Sequence, residues 1–287
     1  MGYASYSSDS RSVRSASLGY TTKSTHEIFK QRSINNAMNP YGVTLRESRD
    51  SVEHPNVVSI VLNLDVTGSM GSIPHFLVKE GLPNMMESLI DGGIKDPQVL
   101  FTGIGDHECD DSPLQVGQFE SSDELLDKWL TDVYLEGGGG GNEGESYLLA
   151  WYFAGYHTAI DSIDKRGQKG FLFTIGDEPT LKFLPKGHIE RIMGSNPQTN
   201  FTAAELLEKA SKLYHCYHLH IKQTGAGGRQ ETMDGWKQLI GDHLIIVDHK
   251  EDVARIIAET VIKHQTGANI LLDAPSTVIE EKPIILL

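Results

Sequence analysis

Two cysteines, Cys109 and Cys216, are all that 287 residues contain. So few exclude a disulfide framework and suit a reducing, cytosolic compartment. No apolar run approaches the roughly 18 residues that cross a bilayer, so no membrane span is expected. The opening MGYASYSSDS has no apolar centre and does not read as a secretory leader. Gly2 raises N-myristoylation, but Tyr6 stands where that motif needs Ser or Thr, and no lipid anchor is expected. Positive charge is also scarce. Against 39 Asp and Glu there are 25 Lys and Arg, a net charge of −14, which argues against a nucleic-acid binder that works by neutralising phosphates. A phosphate loop is missing as well, because Gly225 to Gly228 is not followed by Lys and Ser or Thr.

What remains is an ordinary soluble composition, 39% hydrophobic and 22% charged, with its charge unevenly spread. Residues 1–50 hold seven Lys and Arg against four Asp and Glu, a mildly basic start to an acidic chain. Residues 1–52 are rich in Ser, Tyr, Arg and Thr without a sustained apolar period. They read as a flexible arm that orders on a partner, apart from a short helix around His26–Ala37. The body spans 53–266. Beyond it, the 267–287 tail holds two apolar pieces separated by Pro and acidic residues, suited to packing on the body or to pairing with another chain's sheet edge.

Within the body, NVVSIVLNLDV (56–66) is the near-continuous apolar run of a strand buried on both faces. Similar runs lie at 98–105, 170–176, 216–221 and 243–247. Helical patterns fall at 75–90, 123–135, 145–160, 203–214 and 251–264, the first with a break expected near Gly81–Pro83. Alternation at this pitch predicts an α/β fold: an open, mostly parallel sheet with helices on both faces. In such sheets ligands bind beyond the carboxyl ends of the strands.

One motif stands at such an end. Asp65-Val66-Thr67-Gly68-Ser69-Met70 closes the first buried strand. A turn there can aim the oxygens of Asp65, Thr67 and Ser69 at one point, and an oxygen-only donor set selects a hard cation: Mg²⁺, Mn²⁺ or Ca²⁺. With two neutral donors the ion keeps excess positive charge and can recruit a carboxylate from a partner. Asp177 follows a second buried strand, in FLFTIGDEP. Over about 56–264 this pattern resembles the von Willebrand factor A family and its metal-ion-dependent adhesion site: Asp-x-Thr-x-Ser after the first strand and an Asp in a third loop. Where that family has a Thr in its second loop, this chain has Glu136, five glycines at 137–141, then Asn142-Glu143-Gly144-Glu145-Ser146. This is similar to the Gly-rich, acidic loop of A domains attached to α-kinases and of some bacterial and phage members, which also carry an acidic turn like Gly105-Asp106-His107. The resemblance implies a metal site of Asp65, Thr67, Ser69, Asn142 and Asp177, with Glu145 opening the next helix; Asp106 and Asp110 are read as backing the ligands or capping turns, not as binding the ion directly. It further implies a non-enzymatic, cytoplasmic protein-binding adaptor, bacterial or phage, that works with an AAA+ ATPase.

Competing chemistries attach to the same residues. A self-assembling component, associating through arm or tail with a metal that only stabilises loops, is one. DVTGSM also resembles the strand-end motif of aspartyl-phosphate enzymes, but Thr67 replaces their second Asp, and the acidic segment 105–110 comes too soon after Asp65. Cys216, His218 and His220 share one face of a strand and invite zinc; a packed sheet position favours core histidines. The aromatics Tyr147, Trp151, Tyr152, Phe153 and Tyr156 surround a helix on most sides, as in a buried helix.

Overall fold

A computed structural model describes residues 6–137 and 144–267. In chain order its elements begin with α1 (Ser8–Leu18), α2 (Thr25–Ile28), β1 (Arg46–Ser48), β2 (Val58–Asp65), α3 (Ile73–Phe76), α4 (Leu82–Asp91) and β3 (Pro97–Ile104). They continue with β4 (Leu114–Val116), α5 (Asp123–Thr131), α6 (Tyr147–Tyr156), β5 (Thr158–Ile160), α7 (Asp161–Arg166) and β6 (Gly170–Gly176). The remainder are β7 (Phe183–Leu184), α8 (Lys186–Met193), β8 (Phe201–Thr202), α9 (Ala203–Ala210), β9 (Tyr214–Ile221), α10 (Gln230–Ile240), β10 (Leu244–Val247) and α11 (Val253–Thr266).

Six strands form the central sheet in the order β10-β9-β6-β2-β3-β4. All pairings are parallel except that of the short edge strand β4 with β3. The expected α/β architecture is therefore present. Period-two alternation divides the core in two. Ile60, Leu62 and Leu64 of β2 join Phe101, Phe173 and Leu219 on the face covered by α4, α5 and α11. Val61 joins Leu100, Leu172 and Cys216 on the face covered by α6, α9 and α10. The same alternation sends Asn63 and Asp65 toward the second face, a point on which the site depends. From β2 the chain moves to β3 on one side and later returns through β6 on the other. The carboxyl ends of β2 and β6 thus flank a topological switch point, where open α/β sheets form crevices.

Three departures from the sequence reading have physical causes. The flexible-arm expectation for 1–52 does not describe residues 6–52, which lie on the body. Arg11 of α1 is buried and bonded to the Asp127 carboxylate and the Val78 carbonyl, and Tyr20 donates to Asp127 Oδ2 at 2.6 Å. Ile28, Phe29 and Met38 enter the first core face, and β1 pairs with β5. These anchors are irregularly spaced, so no period betrayed them. Second, the break expected near Gly81–Pro83 is a π-helical turn, Leu77–Gly81, that carries α3 into α4 without interruption. Pro83 has no N–H for the Val78 carbonyl; Arg11 supplies the missing donor. Third, α8 and α10, which the periodicity did not suggest, cover parts of the second face. Among the described residues no helix is long and apolar enough to cross a membrane. The tail 268–287 lies outside the described residues.

Candidate metal centre

Asp65 is the last residue of β2, at 0% exposure. The chain then turns sharply: Thr67 caps a single 3-10 turn over Gly68–Met70. Asp65 Oδ1 accepts the Thr67 backbone N–H at 3.0 Å and its hydroxyl at 2.6 Å, an Asx-type closure that shapes the loop around the carboxylate. Ser69 Oγ lies 3.3 Å from Thr67 Oγ1 and donates to Asp177 Oδ1 at 2.9 Å. Asp177 follows β6, and Leu64 pairs with Ile175 in the parallel register, so both carboxylates leave the sheet at one level. The four oxygen-bearing side chains Asp65, Thr67, Ser69 and Asp177 are thereby brought into one linked set. Asn142 lies outside the described residues.

Sequence reasoning treated Tyr147 as one aromatic of a buried helix, and its position at the start of α6 was the available signal. Its hydroxyl donates to Asp65 Oδ2 at 2.7 Å, so each Asp65 oxygen is engaged. Gly176 makes this reach possible: a Cβ there would collide with the Tyr147 hydroxyl. The residues before α6 are stitched to two neighbouring loops. Glu145 N–H donates to Pro179 O at 3.0 Å and Ser146 N–H to Gly105 O at 3.1 Å, while Ser146 Oγ accepts the His107 N–H at 2.8 Å. Gly144 sits at φ 150°, with the Pro179 carbonyl 2.6 Å from where a Cβ would stand, so only glycine fits. Asp110 Oδ2 accepts the Asp106 N–H and Asp106 Oδ1 the Glu108 N–H, which makes both turn-capping residues.

Electrostatically the centre lacks positive charge. Burial drives the Asp65 carboxyl well above its ordinary range against the hydrogen bonds from Thr67 and Tyr147, and the Asp177 charge adds to the rise. Glu145, 6% exposed, is raised further by burial and then by Asp65 and Asp106. Among the described residues, Asp177 Oδ2, Glu145 Oε2 and Asp106 Oδ2 are buried without a hydrogen-bond partner. Buried carboxylates with orphaned oxygens carry a free-energy penalty that a cation would remove. The donor set thus fits a hard divalent ion.

Zinc finds no such set. Cys216, His218 and His220 do line one face of β9, but among the described residues no three His, Cys, Asp or Glu side chains are grouped to hold a metal. His218 stacks on Trp236 with ring centres 3.6 Å apart, and His220 Nε2 is bonded to Gly227 O at 2.8 Å.

No family model and no curated protein matches the chain. Solved structures do. The pilus adhesin SpaC from Lactobacillus rhamnosus GG, in its open conformation, superposes over 76% of this chain with a TM-score of 0.51 and 14% identity. A second form of SpaC gives 0.51 and 16% over the same share. This chain spans about a third of SpaC, 31% and 32% of the two chains. The vWF domain of the type V pili tip protein Mfa5 from Porphyromonas gingivalis aligns over 75% of this chain and 98% of its own, with a TM-score of 0.49 and 11% identity. At such identities likeness speaks for fold alone: the chain shares with SpaC an open, mostly parallel sheet with helices on both faces.

Proposed function

We propose that this protein is a von Willebrand factor A-type module that binds one divalent cation and uses it to hold a protein partner. Asp65, Thr67, Ser69 and Asp177 would be the ligands on described residues, with Asn142 the ligand from the Gly-rich loop. Mg²⁺ suits the donors best, with Mn²⁺ and Ca²⁺ as chemical neighbours. The bound ion would supply a Lewis-acidic position for an Asp or Glu of the partner. The observation that carries this reading is the Ser69–Asp177 hydrogen bond, which links the loops after β2 and β6 beside an Asp177 oxygen that has no hydrogen-bond partner among the described residues. Calorimetric titration of Mg²⁺ and Mn²⁺ into chelator-stripped protein tests it, beside Asp65→Ala and the pair Thr67→Ala with Ser69→Ala. Binding to the parent that both variants lose supports the centre; undiminished affinity in the double variant sinks it.

The phosphatase reading has less support. An aspartyl nucleophile must present an oxygen to its substrate, whereas Asp65 is buried and both oxygens accept hydrogen bonds. Self-assembly through the N-terminal segment also loses ground, since Arg11 and Tyr20 are engaged with their own body. An adaptor role beside an AAA+ ATPase in the cytoplasm is the family-level form of this proposal, and metal-dependent pull-down with such an ATPase would test it.

A further inference from the structure

Ser69 faces more than the candidate metal centre. It also borders a cleft of about 350 Å³, walled by the turn Ser69–Ile73 on one side and by residues 223–225 and Lys250 on the other. In a chain carrying −14, none of the nine residues lining this cleft is acidic. Its one charge is the Lys250 ammonium, which donates to the Ser72 hydroxyl at 2.7 Å. Of the acids close to Lys250 in sequence, Asp248 pairs with Lys222 and Asp252 with Arg255, each at 2.8 Å, while Glu251 is exposed and does not line the cleft. An ammonium has three donors, so Lys250 has donors to spare beyond Ser72. Gln223 lines the same wall. Its Oε1 accepts the Lys250 backbone N–H at 3.1 Å, which leaves the side-chain NH₂ to donate. An ammonium and an amide NH₂ on one wall form a receptor for a carboxylate, and a charge-assisted bond there is the stronger kind.

We infer that this cleft takes a second carboxylate of the partner, held by Lys250 and Gln223, while a first completes the cation's shell beside Ser69. The recognised element is then a short acidic segment with two Asp or Glu residues at a set spacing, not a lone acid. This inference rests on the metal-binding reading above. It assigns Lys250 a specificity role that no metal ligand shares.

A phage-displayed random peptide library, panned on the full chain in Mg²⁺ and eluted with EDTA, provides the probe. The expected eluate is enriched in peptides with two acidic residues at a recurring separation. A selected peptide should bind Lys250→Met at least tenfold more weakly and Lys250→Arg near the parental level, with Mg²⁺ affinity by calorimetry unchanged in both. Unchanged Mg²⁺ binding together with single-acid peptides, peptide affinity indifferent to Lys250→Met, or no EDTA-eluted peptide at all would overturn the inference and leave the metal centre standing. Absence of Mg²⁺ binding to the parent would sink the metal reading itself and this inference with it.

Discussion

Ser69 and Asp177, 108 residues apart, are joined by a hydrogen bond of 2.9 Å from Oγ to Oδ1. That bond ties the loop after β2 to the loop after β6 across the switch point of the sheet. On one side of it Asp65 is buried against Tyr147, and on the other Asp177 Oδ2 has no hydrogen-bond partner among the described residues. Under the proposal above, a cation bound at this centre would stabilise the fold as well as serve recognition.

Asp65→Asn separates these two roles. In chelator-stripped protein the amide removes a buried charge while its oxygen still accepts from Thr67, so the variant is expected to melt at or above the parent. Magnesium should raise the melting temperature of the parent only, by the equivalent of about 2.7 kcal/mol at a hundredfold excess over Kd. Thermal melts with and without Mg²⁺ check this; an equal Mg²⁺ response in Asp65→Asn would contradict the assignment.

Gly176 and Tyr147 are coupled through a steric limit. Gly176→Ala should push the Tyr147 hydroxyl off Asp65 and cost about 1–3 kcal/mol, as overpacked cores do. Tyr147→Phe removes the hydroxyl, the nearest atom, while ring carbons at 2.8 and 2.9 Å still crowd the added methyl, so Gly176→Ala in that background should cost less without becoming free. A double-mutant cycle by urea denaturation measures the coupling, and strict additivity would show that the contact does not matter.

Arg11 holds the N-terminal segment through a buried pair. Arg11→Met strands the Asp127 carboxylate and the Val78 carbonyl and is expected to cost about 3–5 kcal/mol. Asp127→Asn in the same chain removes the stranded charge and keeps an acceptor for Tyr20, so much of the loss should return. Limited proteolysis within residues 6–30 should accelerate in Arg11→Met. Unchanged protection there would mean that this segment is held by its apolar anchors alone.

His218 sets an acid limit. Burial, and then the neighbouring His220, hold its imidazole far below the ordinary histidine range, so the fold keeps it neutral. The unfolded chain takes up that proton near pH 6.5 while the folded chain does not. Stability from this group is therefore full above about 6.5 and declines as pH falls below it. His215, lowered to about 4 by burial and then by His264, acts in the same direction. His218→Phe should flatten part of this decline between pH 7 and 5 in denaturation midpoints and leave the His215 share; an unaltered slope would contradict the assignment.

How much of this was legible in the sequence follows from what each feature depends on. Unbroken apolar runs showed the central strands because burial on both faces demands them, and Asp65, Thr67 and Ser69 were legible because they are neighbours in one loop. Asp177 could be placed from its own strand end. Tertiary structure alone decided that Tyr147 meets Asp65, that Ser69 bonds to Asp177, and that Lys250 shares a cleft with Ser69. Each pairs residues far apart in the chain, and strand order, which no local pattern encodes, determines which strand ends and loops meet. It alone also showed that residues 6–52 are docked. Their hold combines the buried Arg11–Asp127 pair, further ion pairs such as Arg14–Asp123 and Arg49–Asp161, the β1–β5 ladder and scattered apolar side chains, and pairing over long separations leaves no period to read.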